Sequence, residues 1–205
     1  MALDGDRSIA LGTKQGVVKR VATNAYPNKP DFEVIGLKAG DEVVGAVQGD
    51  ETDELVFVAS DAQLLRFPAA SVRPQGCPAG GMAGINLTSG AHVVHFTSVP
   101  ADAAADAVVV TIAASNETLL GTDPGSAKVS PFTEFPAKGR ATGGVRAQRF
   151  LKGEDALHLA WVGSSPALAV AADGSARQLP DGGAKRDGSG QALEAVVAAV
   201  GRRIG

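Results

Sequence analysis

The chain has 205 residues, 44% of them hydrophobic, which is enough for one folded domain or one compact array of small units and excludes global disorder. Lys and Arg number 19 against 22 Asp and Glu, and this net charge of −3 excludes a uniformly basic nucleic-acid coat. One cysteine excludes an internal disulfide, and no apolar stretch reaches the roughly 20 residues of a membrane span, so we expect a cytoplasmic protein with no membrane partner.

Four short runs of Val, Ile, Leu and Ala follow one another along the chain, each bounded by Gly, Ser, Asp or Asn, as β-strands are. They cover residues 8–11, 54–59, 107–113 and 167–172. Each run is followed by a polar turn and a second short strand that carries a basic residue, which predicts four β-hairpins. The basic residues that the repeat places at equivalent positions are Arg20, Arg66, Lys128 and Arg177.

A second element recurs between the hairpins and consists of a leucine, a glycine turn and a new apolar strand. Its turn glycines are Gly40, Gly90 and Gly153, at spacings of 50 and 63 residues, and an insertion at 116–126 explains the longer spacing. A period near 50 built from hairpins predicts the blades of a propeller-like array, in which each unit buries its apolar face against the next. We therefore expect one all-β domain over residues 1–205, with units at about 7–53, 54–105 and 106–165 and a truncated fourth at 166–190.

In the C-terminal tail the apolar residues recur at helical spacing rather than in strand-length runs, which predicts a closing helix over residues 191–205. Basic residues stand at its C-terminal end, where the helix dipole favours them. The apolar positions at helical spacing are Leu193, Val196, Val197, Val200 and Ile204.

Charge is distributed unevenly. Residues 31–61 hold nine acids and one base, whereas residues 138–152 hold five bases and no acid. A slightly acidic chain can therefore still present a basic face.

No constellation for catalysis or metal binding emerges. His92 and His95 are three residues apart, so they face opposite sides of a strand and are expected at the surface or at blade edges. Cys77 has no flanking histidine, and Tyr26 lies in a Pro-rich loop without an acidic cluster. The Gly-rich stretches match no phosphate-binding loop. We predict no catalytic residue and no metal ligand.

The segment Leu-Gly-Thr-Lys-Gln-Gly-Val-Val-Lys-Arg at 11–20 resembles the Thr-x-x-Gly-x-x-Lys-Arg hairpin of the C-terminal domain of bacterial type IIA topoisomerase A subunits. Residues 36–44, 84–87 and 138–146 are similar to the turns between blades in that family. The resemblance covers nearly the whole chain. It implies a β-pinwheel, a spiral of four-stranded blades that exchange strands and hold and bend duplex DNA on an outer basic rim.

The resemblance also implies the partners: double-stranded DNA, the N-terminal cleavage core of the same polypeptide, and the ATPase subunit of the heterotetramer. The catalytic tyrosine, the metal-binding acids and the ATP site lie elsewhere in the family's complex. This chain is therefore expected to need no cofactor of its own, since ATP and Mg²⁺ serve the parent complex.

Two departures favour the topoisomerase IV type of A subunit over the gyrase type. Gyrase carries a basic Gln-Arg-Arg-Gly-Gly-Lys-Gly box after its first hairpin, whereas residues 26–36 here hold one base and two acids. About four repeats are present rather than six. The expected role is support of decatenation and relaxation rather than of supercoil introduction.

Weak binding to duplex DNA without sequence preference is the main functional expectation. The alternative is a propeller-like protein-interaction scaffold that docks through the acidic segment 31–61, and an enzyme in its own right is the weakest hypothesis. The residues expected to contact phosphates are Lys14, Lys19, Arg20, Arg66, Arg73, Lys138, Arg140, Arg146 and Arg149.

Overall fold

The computed structural model describes residues 7–22, 26–29, 31–117 and 122–202, which form an all-β fold as predicted. Short 3-10 turns lie at Ala69–Ser71, Ala101–Ala103 and Phe132–Glu134. The strands are β1 Ser8–Thr13, β2 Val17–Val21, β3 Val43–Gly49, β4 Glu54–Ala59, β5 Gln63–Pro68, β6 Met82–Ala83, β7 Val93–Val99, β8 Ala107–Ala114, β9 Ser126–Pro131, β10 Val145–Arg146, β11 Ala156–Ser164, β12 Leu168–Val170, β13 Ala176–Arg177, β14 Gln191–Ala192 and β15 Ala199–Gly201.

The described strands form four antiparallel sheets, each of which is one blade. Their strand orders are β3-β1-β2-β6, β7-β4-β5-β10, β11-β8-β9-β14 and β15-β12-β13. The predicted hairpins, β1–β2, β4–β5, β8–β9 and β12–β13, form the middle of the blades. The edge strands β6, β10 and β14 each come from the chain segment of the following blade, so neighbouring blades exchange a strand.

Each hairpin turns at a residue with positive φ, which we call the turn residue. The turn residues are Gly16, Ala62, Gly125 and Gly174, with φ of 84°, 60°, 62° and 81°. Arg20 and Arg66 lie four positions after theirs, but Lys128 and Arg177 lie three after theirs. The predicted equivalence of these four residues is therefore wrong, because a shift of one residue turns a side chain to the other face of the sheet.

Apolar side chains fill the junctions between blades, since one blade cannot cover its own face. Val18, Phe57 and Ile85 belong to the cluster between the first and second blades. Val58, Phe132 and Leu157 belong to the next cluster, and Ile112 and Ala169 pack between the third and fourth blades.

The exchanged strands lie on the outer rim of the array. Strands β3, β7 and β11, at the opposite edges of their sheets, pack on one another from blade to blade and so line the inner side. Gly45 of β3 permits this approach, because a Cβ there would overlap the carbonyl oxygen of Phe96 in β7.

The predicted helix over residues 191–205 is wrong for residues 191–202, and residues 203–205 lie outside the described part. Gln191–Ala192 pairs with β9 of the third blade, and Ala199–Gly201 pairs with β12 of the fourth. These pairings supply hydrogen-bond partners to the backbone groups at the edges of two sheets. The stabilisation from these long-range bonds outweighs the local preference for a helix that the apolar spacing indicates. The fourth sheet consequently extends from Leu168 to Gly201 rather than ending near 190. Among the described residues, no helix has the length and apolar character of a membrane span.

Candidate nucleic-acid interface

Three loops on the rim connect the second hairpin strand of one blade to the exchanged strand that joins the sheet of the preceding blade. These rim loops are residues 69–81, 132–144 and 178–190. Each loop is anchored by the same backbone hydrogen bond to the carbonyl four positions after a turn residue. The donors and acceptors are Gln75 N–H to Arg20 O, Lys138 N–H to Arg66 O and Ala184 N–H to Val129 O, at 2.9, 3.0 and 3.1 Å. The loops therefore occupy equivalent places on three blades.

The rim is continuous because the loops and exchanged strands also bond sideways. Ala141 N–H donates to Gly84 O at 2.7 Å, and Asn86 N–H donates to Thr142 O at 3.0 Å. Further along, Arg149 N–H donates to Gly188 O at 3.0 Å. Residues 138–149 and 185–190 thus form one surface, which we call the basic rim.

The basic rim carries six basic side chains and one acidic side chain. The bases are Lys138, Arg140, Arg146, Arg149, Lys185 and Arg186, and the acid is Asp187. Arg146, Arg149 and Lys185 are exposed, and their charged groups bond to no described residue. Free cations beside glycine-containing turns suit phosphate oxygens.

Two of these bases also stabilise their own loop. Lys138 Nζ donates to Gly144 O at 3.0 Å, and Arg140 donates to Ala83 O at 2.5 Å. Arg140 Nε is buried without a protein partner. Each side chain uses one N–H group in these bonds, so the other N–H groups at its charged end remain for a ligand.

The other predicted contacts lie outside the basic rim. Arg73 is exposed on the rim loop 69–81. Three predicted cations are ion-paired: Lys14 to Glu42 at 2.6 Å, Arg20 to Glu51 at 3.5 Å and Arg66 to Glu54 at 3.4 Å. Arg66 also lies 4.5 Å over the Phe132 ring, and Arg20 is 4% exposed and donates to the carbonyls of Ala69 and Val72.

Lys19 is fully buried and is used inside the fold. Its Nζ donates to the carbonyls of Val34, Gly76 and Ala79 at 2.6, 3.0 and 2.7 Å, and burial lowers the pKa of this lysine. Lys128 has the same position in the third blade. It donates to the carbonyls of Lys185, Arg186 and Gly188, and burial lowers its pKa from 10.5 to about 8. These two lysines hold rim loops in place rather than reaching the surface.

Sequence reasoning missed Lys185 and Arg186. A signal was present, because Arg186 stands four residues before Gly190, as Arg140 stands four before Gly144. The assignment of residues 191–205 to a helix concealed this repeat.

The acidic segment 31–61 does not form one surface. Glu42 precedes β3 and Asp50 follows it, so they lie at opposite ends of a strand about 20 Å long. Asp53 is buried and accepts hydrogen bonds from the Asp50 N–H and the Ser98 hydroxyl.

Within residues 7–22, 26–29, 31–117 and 122–202, no group of three His, Cys, Asp or Glu side chains has the arrangement of a metal site. Cys77 is a half-buried free thiol. His92 is exposed as expected, but His95 lies between the second and third blades, where its Nε2 accepts from the Val162 N–H at 3.3 Å.

A family model described as "DNA gyrase C-terminal domain, beta-propeller" matches residues 7–30, 53–100 and 116–160, more than half of the chain. The A subunit of DNA gyrase from Staphylococcus aureus strain MRSA252 is 27% identical over 143 residues, and its counterpart from strain NCTC 8325 shows the same values. The match covers 69% of this chain and 15% of each relative, so the chain spans a small part of their length.

Solved structures share the fold. A C-terminal domain of DNA topoisomerase IV superposes with a TM-score of 0.79 at 21% identity, covering 97% of this chain and 62% of that one. A DNA gyrase A C-terminal domain gives 0.73 at 15% identity, covering 97% and 66%. The E. coli ParC C-terminal domain gives 0.71 at 14% identity, covering 96% and 81%.

Proposed function

We propose, because this chain belongs to the family of DNA gyrase C-terminal β-propeller domains, that its basic rim binds and bends duplex DNA without sequence preference. One observation carries the proposal: hydrogen-bonded loops of successive blades join six cations into one surface with a single acid. Neutralising phosphates supplies affinity that does not depend on base sequence.

The proposed contacts differ from the predicted set because four predicted cations already have partners within the protein: Lys19 and Arg20 are buried, whereas Lys14 is only half-buried but paired with Glu42. Lys14, Lys19, Arg20 and Arg66 are assigned to holding the blades, because their charges already have internal partners. The proposed phosphate contacts are Arg73, Lys138, Arg140, Arg146, Arg149, Lys185 and Arg186.

The parent protein is proposed to be a cytoplasmic type IIA topoisomerase A subunit of the topoisomerase IV type, which works in decatenation and relaxation. It would act with a cleavage core and an ATPase subunit that use ATP and Mg²⁺ elsewhere in the complex. The first-blade segment supports this type, since Tyr26, Val34 and Ile35 pack on their own blade and the segment lacks a basic box.

A duplex-binding titration tests the DNA proposal. We expect weak binding at about 50 mM salt that falls steeply by about 200 mM. Replacing two free cations in Arg146→Glu/Arg149→Glu weakens binding and makes the salt slope shallower by about 2, one for each lost phosphate contact.

The matched control reverses two exposed cations that are not part of the basic rim, Lys29→Glu/Arg202→Glu. It changes net charge equally and is expected to retain the wild-type salt slope. Equal losses in the two double variants, or no binding at low salt, would contradict the proposal.

A further inference from the structure

The three junctions between described blades use one backbone geometry. At each junction the exchanged strand pairs with the two residues that follow a turn residue. At the first junction, Ala83 pairs with Val17 and Met82 with Val18. At the second, Arg146 pairs with Gln63 and Val145 with Leu64, and at the third, Ala192 pairs with Ser126 and Gln191 with Ala127. The next N–H then donates to the carbonyl of the turn residue. These bonds are Gly84 to Gly16, Ala147 to Ala62 and Leu193 to Gly125, at 2.8, 2.7 and 2.9 Å.

The fourth blade presents the same hairpin, and no described strand covers it. β13 pairs with β12, and its other edge has no partner among the described residues. Gly174, Ser175 and Ala176 are exposed, whereas at the filled sites the residues that correspond to Ala176 are buried. An open edge of this kind is a template for another strand.

An apolar face adjoins this edge. Ala169 packs against the third blade, so the alternation along β12 turns Leu168 and Val170 to the opposite side. Leu168 is 47% exposed. In the first junction the corresponding space between blades is closed by Ile85, which follows the exchanged strand β6.

The filled junctions also define what the missing strand must contain. The residue before each exchanged strand is Gly81, Gly144 or Gly190. A Cβ on Gly81 would lie 2.7 Å from the Val18 carbonyl oxygen, and a Cβ at the other two would overlap the Leu64 carbonyl oxygen or the Ser126 hydroxyl. A donor strand therefore needs glycine at this position.

In the first blade, the segment that corresponds in sequence to these donor strands, residues 31–35, does not meet this requirement. Asp31 precedes Gly81 by 50 residues, the offset that relates Gly40 to Gly90, so it stands where the donors have glycine. Ile35, four residues later, packs on the first blade. Residues 31–35 of a second copy are thus unsuited to serve as the donor.

We propose that residues 174–177 form an acceptor site for an extended segment from outside this sequence, of the kind that a further blade donates. Its glycine faces Arg177, its next two residues pair with Ala176 and Ser175, and the following N–H donates to the Gly174 carbonyl. Apolar side chains beyond that point cover Leu168 and Val170. Addition of a strand to an open sheet edge is a general mode of peptide binding.

The test uses the full chain and a labelled peptide that copies residues 80–87, Gly-Gly-Met-Ala-Gly-Ile-Asn-Leu. The matched control is the same peptide with Gly81→Asp, which introduces the residue of the first blade. We expect the copy to bind about tenfold more tightly than the control, with amide chemical-shift changes confined to the fourth-blade hairpin. Equal binding of the two peptides, binding at another surface, or no binding of either at about millimolar concentration would overturn the proposal.

Sedimentation of the chain alone adds a second readout. The glycine requirement predicts no head-to-tail pairing of residues 31–35 with residues 174–177 at about 100 µM protein, because Asp31 stands at the glycine position. Self-association that perturbs the amides of residues 174–177 would contradict it.

Discussion

Acid should destabilise the junction between the second and third blades through one histidine. Burial lowers the pKa of His95 from 6.5 to about 4, because the imidazolium loses its hydration there. The unfolded chain binds a proton near pH 6.5, and the folded chain does so near pH 4. Stability from this group is therefore complete above pH 6.5 and is lost as the pH falls towards 4. Linkage gives a loss of about 2 kcal/mol at pH 5 and about 3 kcal/mol at pH 4.

Urea unfolding at pH 7 and pH 5 measures this loss, with His95→Gln as the control. Glutamine offers an oxygen to the Val162 N–H and does not titrate, so the variant should lose about 2 kcal/mol less than the wild type over this interval. The comparison cancels the carboxylates that also titrate in acid. The same pH dependence in both proteins, or an NMR titration of His95 with a midpoint near 6.5, would refute the argument.

Two substitutions test how the rim is held. Lys128→Leu introduces the residue that stands at this position in the second blade, Leu65, and removes the donor to three carbonyls. The free energy of unfolding should fall by about 1–3 kcal/mol, and amide exchange at residues 185–190 should become faster. Unchanged exchange there would exclude an anchoring role. Gly144→Ala places a Cβ against the Leu64 carbonyl at a φ of 76° and should lower the free energy of unfolding by about 2 kcal/mol or more in a urea titration. Gly139→Ala, which meets open space, should stay within about 0.5 kcal/mol of wild type, and equal effects of the two glycine variants would contradict the steric argument.

The hairpins could be predicted because their signals are local. Apolar runs of strand length, bounded by polar turns, place β1, β4, β8 and β12 without knowledge of any distant contact. The repeat of about 50 residues then predicts stacked blades, since an isolated hairpin cannot cover its apolar face. The resemblance to the topoisomerase domains added strand exchange, which periodicity alone does not contain.

The sequence by itself thus determined an array of hairpin blades and a basic stretch within residues 138–152. The tertiary structure decided which cations are free. Lys19 and Lys138 both lie near glycines, but Lys19 meets three carbonyls from distant parts of the chain, whereas Lys138 remains at the surface. The structure of the tail also depended on distant residues, because β14 and β15 pair with strands of two different blades. Burial and backbone pairing depend on residues far apart in sequence, and a local pattern does not record them.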